Sequence, residues 1–188
     1  MKIKLLCIII ILFVLVLQLY KLIRHILLRY LLKRTCEVLN KYGIVYWVDF
    51  GTLLGLTRNN DIIWGDNDVD ICIIQSIPHH ALEMIEHDLY KYNLIIKKMD
   101  WSAYRIYFRF FKMNTFVDVY LNKDGGCDYI GATGENSNIA KSLIGNPKPI
   151  TWNDTIIMTP EHIHDVLTWR YGEDYMIPKP GFKGRDSK

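Results

Sequence analysis

The 188-residue sequence predicts a small mixed α/β domain with flanking helices, preceded by an N-terminal transmembrane helix. Three observations lead there. Between residues 45 and 121, short β-branched and aromatic runs alternate with an apolar stripe at helical spacing, as in a small mixed sheet. Leu5 to Tyr20 is apolar apart from Gln18, and Leu22 and Ile23 extend it towards the roughly 20 residues a bilayer span needs. Half of all residues are apolar, enough for one core in a chain of this length. The expected division is residues 1–34 as anchor and basic flank, and 35–188 as the folded domain.

Charge separates the same two parts. The net charge is +3, yet Lys2, Lys4, Lys21, Arg24, Arg29, Lys33 and Arg34 all precede the first acid, Glu37. The remainder carries 16 basic against 20 acidic residues, a balance of −4, which argues against a nucleic-acid partner. No small-x-small cleavage site follows the apolar run, so we read an uncleaved single-pass anchor rather than a signal peptide. More positive charge follows the span than precedes it, which by the positive-inside rule favours the cytosolic side for the domain. Residues 21 to 42 continue as a basic amphipathic helix, either packed on the domain or lying on anionic lipid.

The four cysteines, Cys7, Cys36, Cys72 and Cys127, show no Cys-x-x-Cys pair, so zinc spacing is absent. Cys72 falls in a strand and reads as a small buried hydrophobe. A Cys36–Cys127 disulfide is neither argued nor excluded. Asn153-Asp154-Thr155 matches a glycosylation sequon, a triplet common by chance.

In order, Val45 to Phe50 reads as a short strand, broken by Gly51-Thr52. Leu53 to Arg58 reads as a helical turn or two, and Asn59-Asn60-Asp61 as a turn. Val69 to Ile74 is a β-branched strand. Pro78 opens a helix whose inner stripe is Leu82, Ile85, Leu89 and Tyr92. Leu94 to Lys97, Ala103 to Phe111 and Phe116 to Leu121 are strands, the last two joined by a turn over residues 112–115. Residues 122 to 155 lose apolar periodicity and read as a long loop with a short helix near 139–144. Thr159-Pro160 starts a helix to about Tyr171, and the tail from Pro178 reads as frayed.

Asp66, Asp68 and Asp70 alternate just before and inside the strand at 69–74. Side chains alternate across a strand, so Asp68 and Asp70 share a face opposite Val69, Ile71 and Ile73. Like charges so close are costly unless something compensates them. Mg²⁺ or Mn²⁺ would do so while keeping positions open for phosphate. Asp118, a single acid inside the apolar strand at 116–121, fits a third ligand. Gly51 and Thr52 open a helix whose free N–H groups suit an anion. Asp68, Asp70 and Asp118 are therefore the expected catalytic and metal-binding residues, and Gly51 and Thr52 the expected phosphate site, an arrangement for phosphoryl or nucleotidyl transfer.

These residues resemble the LicD/fukutin family. Asp49-Phe-Gly-Thr-Leu-Leu-Gly-Leu-Thr-Arg58 is similar to its Gly-Thr-Leu-Leu-Gly-x-x-Arg block, and Asp66-Asn-Asp-Val-Asp-Ile71 to its Asp-x-Asp-hydrophobic-Asp run. Here Gly65 follows Trp64 and the usual proline is missing. Phe116 to Tyr120 and Thr168-Trp-Arg-Tyr-Gly172 extend the likeness over about residues 35 to 180. The resemblance implies a nucleotidyltransferase-like catalytic domain that moves a phospho-alcohol, phosphocholine or ribitol phosphate, from a CDP-linked donor to a glycan or glycoprotein acceptor. It implies metal ligation by Asp68 and Asp70, with Asp118 as third ligand or as base. It matches Arg58 to a donor-contacting arginine, gives Asp66 a supporting place, and has Asp49 orient the Gly-Thr turn. Its Golgi-lumenal members set the lumen of the secretory pathway against the cytosolic side favoured by charge, and we take the lumen as the expectation.

Two readings compete. A glycosyltransferase also uses Asp-x-Asp on a nucleotide-sugar, or a sugar phosphate could be the transferred group. A membrane-tethered non-catalytic binding protein would retain only the fold. Arg105 and Arg109 share a strand face and read as solvated edge charges. His79, His80, His162 and His164 read as surface residues.

Overall fold

A computed structural model describes residues 2–73, 77–99, 103–110, 113–123, 126–127, 139 and 141–179. The chain begins with one unbroken 40-residue helix, α1 (Lys2–Lys41). Its apolar first half is exposed, and the stretch Lys4–Lys41 is long and apolar enough to cross a membrane. From Leu28 onward the same helix enters the core with Leu28, Leu31, Leu32, Cys36, Val38 and Leu39. Of the two readings of residues 21–42, packing on the domain is the one observed. Cys36 is free and buried, which excludes its pairing with Cys127, and burial pushes its thiol up to about 12.

Six strands form the main sheet: β1 (Tyr46–Val48), β2 (Asp68–Ile73), β3 (Leu94–Lys98), β4 (Ala103–Phe108), β5 (Phe116–Lys123) and β6 (Gly126–Cys127). Their order is β1-β2-β5-β4-β3, with β6 on β5. β2 and β5 run parallel and the remaining pairs antiparallel, so the sheet is mixed as expected. The parallel pair sits centrally, with Val69, Ile71, Val117 and Val119 buried. Cys72 is buried in this strand but is disulfide-bonded, more than the hydrophobe read from sequence. Helix α3 (His79–Lys91) turns Ile85 and Leu89 into the core.

Helix α2 (Phe50–Asn59) starts three residues earlier than the sequence suggests, so Gly51-Thr52 lies in its first turn rather than breaking a strand. Gly55 is where α2 meets the following loop. A Cβ there would lie 2.6 Å from Asp61 O and 2.8 Å from Ile63 N, so only glycine allows this approach.

The largest departure from the sequence reading is a hairpin, β7 (Lys148–Trp152) and β8 (Thr155–Thr159), inside the expected loop. Its two-residue turn, Asn153-Asp154, has φ of 48° and 60°, the left-handed pair that a tight hairpin requires. Prolines 147 and 149 mask the strand pattern. The hairpin docks on α1: Asn40 Nδ2 donates to Ile156 O at 2.8 Å and Lys33 Nζ to Asn153 O at 3.1 Å. The short helix expected near 139–144 is α4 (Lys141–Ile144), and α5 (Ile163–Tyr171) matches the predicted C-terminal helix. The rest of the expected loop, residues 128–138, and the tail from 180 lie outside the described residues.

Candidate active site

The site is built where β1 turns into α2. Asp49 ends β1 and caps the helix, its Oδ1 accepting the Phe50 N–H at 2.7 Å. It is fully buried, and Arg170 from α5 compensates it with two 2.7 Å hydrogen bonds, Nε to Oδ1 and Nη2 to Oδ2. Trp47 Nε1 donates to Oδ2 at 3.1 Å. The Arg170 guanidinium also stacks 3.7 Å from the Phe50 ring. Phe50 itself has φ of 47°, a left-handed conformation unusual for an aromatic residue and held here from both sides. Asp49 thus orients the Gly51-Thr52 turn.

Thr52 is buried, and its Oγ1 accepts the Asp70 N–H at 2.8 Å, tying α2 to β2. The Thr52 hydroxyl thus positions the acidic strand, apart from the backbone N–H groups expected at a phosphate. Gly51 fills the expected place at the first turn. A Cβ on it would meet Asp66 Oδ2 at 3.2 Å, so its lack of a side chain leaves room for that carboxylate.

An open cleft of about 490 Å³ lies over this junction. Asp66, Asp68 and Asp70 form its acidic wall, Gly51 and Phe50 its helical edge, and Trp64, Tyr120 and Tyr171 an aromatic rim. Asp68 and Asp70 are half-buried. Burial, then repulsion from Asp66 and Asp118, pushes Asp68 up to about 6. Burial, then Asp68, Asp118 and Asp66, pushes Asp70 well above the ordinary carboxylate range. Among the described residues no cationic side chain forms an ion pair with either. Arg105 pulls Asp68 down, but less than burial, Asp66 and Asp118 push it up.

Asp118 lies opposite Asp70 in the β2–β5 register, as a third carboxylate should. Its charge, however, is already matched. Arg105, opposite it on β4, donates from Nε to Oδ1 at 2.6 Å and from Nη2 to Oδ2 at 2.8 Å. Tyr120 OH adds a 3.3 Å bond. Among the described residues no group of three or more His, Cys, Asp or Glu side chains is arranged to hold a metal ion. Of the expected set, Asp68 and Asp70 face the cleft with no ion-pair partner among the described residues, while Asp118 is held by Arg105. Two carboxylates still fit Mg²⁺ or Mn²⁺ chemically, since such ions are commonly held by one or two carboxylates with water and substrate phosphate completing the shell.

Arg58 is not at the cleft. Its guanidinium donates to Tyr175 O, at 2.6 Å from Nε, and to Ile177 O at 3.3 Å, holding the segment after α5. His79, His80, His162 and His164 are exposed, as read. Sequence reasoning missed the roles of Arg105 and Arg170. Arg105 became legible only through strand register, and Arg170 only when α5 packed beside α2.

The cleft sets an acidic strand against the first turn of a helix at the edge of a mixed sheet. Residues 43–162 match the family described as LicD/FKTN/FKRP, nucleotidyltransferase domain, and the chain belongs to that family. The match contains Gly51, Thr52, Arg58, Asp68, Asp70 and Asp118 and ends before Arg170. Uncharacterized protein RP689 of Rickettsia prowazekii (strain Madrid E) is 42% identical over 55 residues, covering 29% of this chain and 21% of that protein. Uncharacterized protein RT0683 of Rickettsia typhi (strain ATCC VR-144 / Wilmington) is 42% identical over 55 residues, 29% of this chain and 18% of its own. The match thus spans about a fifth of each relative. A crystal structure of ANT(2")-Ia in complex with adenylyl-2"-tobramycin aligns with TM-score 0.41 and 7% identity over 72% of this chain and 69% of the other. A solution structure of ANT(2'')-Ia aligns with TM-score 0.45 and 9% identity over 71% and 66%. Likenesses of this strength bear on neither activity nor ligand.

Proposed function

We propose that the protein is a single-pass membrane phosphotransferase that moves a phospho-alcohol from a CDP-linked donor to a glycan or glycoprotein acceptor, dependent on Mg²⁺ or Mn²⁺. The observation that carries this is the pair Asp68 and Asp70, lining a cleft and raised by burial and by repulsion from neighbouring carboxylates. A divalent cation held by the pair would neutralise donor phosphate charge. The chain's own residues supply the rest. Asp49 and Arg170 fix the first turn of α2, Thr52 locks Asp70 to it, and Gly51 leaves the donor a close approach. Asp118 holds Arg105 beside the acidic wall, where Asp68 feels its positive charge. Trp64, Tyr120 and Tyr171 offer faces for stacking a donor base.

The membrane reading rests on the exposed apolar half of α1. Secretory-pathway lumen is supported by the disulfide at Cys72, a bond that persists in oxidising compartments. Glycan occupancy of Asn153, exposed at the β7–β8 turn, reads that orientation in a eukaryotic host.

The test uses the full chain in detergent, its melting temperature recorded against CDP-, UDP- and GDP-linked compounds with and without Mg²⁺ or Mn²⁺. A rise with CDP-alcohol and metal, lost in Asp70→Asn, is the expected result. A response to UDP- or GDP-sugars alone would replace this reading with the glycosyltransferase one. The non-catalytic alternative has one observation in its favour, the pairing of Asp118 with Arg105. Silence across the whole panel in folded protein would establish it.

A further inference from the structure

On the opposite face of α1 from the acidic cleft lies a second feature. An apolar groove of about 300 Å³ is lined by Ile26, Leu27, Tyr30, Tyr92, Phe108 and Phe110. Tyr30 and Phe108 stack at 5.8 Å to form its floor, while Ile26 and Phe110 stand 57% and 67% exposed at its mouth. Exposure of this much apolar surface outside the span needs a covering partner.

Its position says what covers it. Leu19, Ile23, Ile26, Leu27 and Tyr30 recur at helical spacing on one face of α1. Leu19 and Ile23 lie in the apolar exposed stretch, so the stripe runs from the span directly into the groove. At 1.5 Å per residue, Ile26 to Tyr30 stand only about 5–10 Å beyond Ile23, within the headgroup layer.

Two guanidinium groups flank the groove. Arg34 lies over the rings of Tyr30 and Tyr92, at 5.2 and 4.7 Å, and Arg109 over Phe110 at 4.8 Å. Arg34 Nη1 pairs with Glu37 at 2.7 Å, but its buried Nε has no hydrogen-bond partner among the described residues. Arg109 Nη1 donates to Tyr90 OH.

We infer that this groove binds one hydrocarbon chain of a phosphate-headed membrane lipid, the chain lying along Tyr30, Leu27 and Ile26 and continuing down the span, the phosphate meeting Arg34 and Arg109. The inference rests on α1 crossing a bilayer. An acyl chain and an isoprenoid chain share the chemistry.

The test places the full chain in nanodiscs with diazirine-bearing phosphatidylglycerol, isoprenyl phosphate or neutral diacylglycerol, and maps crosslinks by mass spectrometry. Labelling of peptides carrying Tyr30 or Phe110 by the phosphate-headed probes is expected. Competition by unlabelled isoprenyl phosphate or by phosphatidylglycerol identifies the chain source. Phe110→Asp should abolish groove labelling and leave span labelling intact. Arg34→Gln should weaken phosphate-headed probes and spare diacylglycerol. Alkaline extraction of the membranes separates the two possible failures. A chain released into solution overturns the membrane reading and the lipid site with it. A chain retained in the membrane but labelled only between Leu5 and Ile23, or crosslinked through the groove to a second copy, overturns the lipid site alone.

Discussion

Asp49 and the pair Asp68 and Asp70 lie side by side, the Asp49 N–H donating to Asp70 O at 3.2 Å, and are treated in opposite ways. Asp49 is fully buried, capped onto α2, and enclosed by Arg170 and Trp47. Asp68 and Asp70 are half-buried, one strand away, and repulsion from neighbouring carboxylates outweighs the pull of Arg105 on Asp68. A fold that merely needed stability would have compensated both. Leaving one set raised while neutralising its neighbour separates scaffold from site, since uncompensated charge is kept where a ligand supplies the partner.

The sharpest way to break the comparison is Asp70→Asn. Transfer should fall about 10³-fold, about 4 kcal/mol in the barrier, while the metal-free protein melts no lower, because a repulsion is removed. A lowered melting temperature would put Asp70 with Asp49 on the scaffold side. Arg170→Met should do the reverse, costing about 3 kcal/mol in urea unfolding by leaving Asp49 buried and unpaired. Activity lost with stability unchanged would move Arg170 into the site. Gly55→Ala should cost about 2 kcal/mol through the clash with the 61–63 backbone, an effect of packing that metal cannot rescue.

The pH dependence sharpens the contrast further. Asp68 titrates near 6 when folded, against an ordinary value of 3.8, so the folded state holds the extra proton between them. Metal-free stability should therefore fall as pH rises from about 4 to about 6, and the Asp68-dependent part of the loss is complete above that. Melting curves across this range should flatten in Asp68→Asn and when Mg²⁺ is present. Persistence of the full slope in Asp68→Asn would place its origin elsewhere. Arg58→Met carries the smallest effect, about 1 kcal/mol from lost bonds to Tyr175 and Ile177 carbonyls, with donor affinity unchanged.

Much of the fold was legible because its signals are local. The apolar run of α1, the β-branched strands and the stripe of α3 each follow from side-chain period alone. Asp68 and Asp70 could be paired on one face from strand alternation. The β7–β8 hairpin was not legible, because Pro147 and Pro149 interrupt its pattern and its turn is Asn-Asp rather than a glycine pair. The side-chain partners of Arg58 and Thr52 were not legible for a different reason. Their motif positions were read correctly, but the partners that occupy them come from residues 18 and 117 positions away.

By itself the sequence determined the long apolar helix, the mixed α/β class and the acidic strand, since each depends on neighbours a few residues apart. Tertiary structure alone decided which charges are neutralised. Arg105 reaches Asp118 through strand register and Arg170 reaches Asp49 across 121 residues, and an electrostatic environment is a property of distance in space, which sequence separation does not carry.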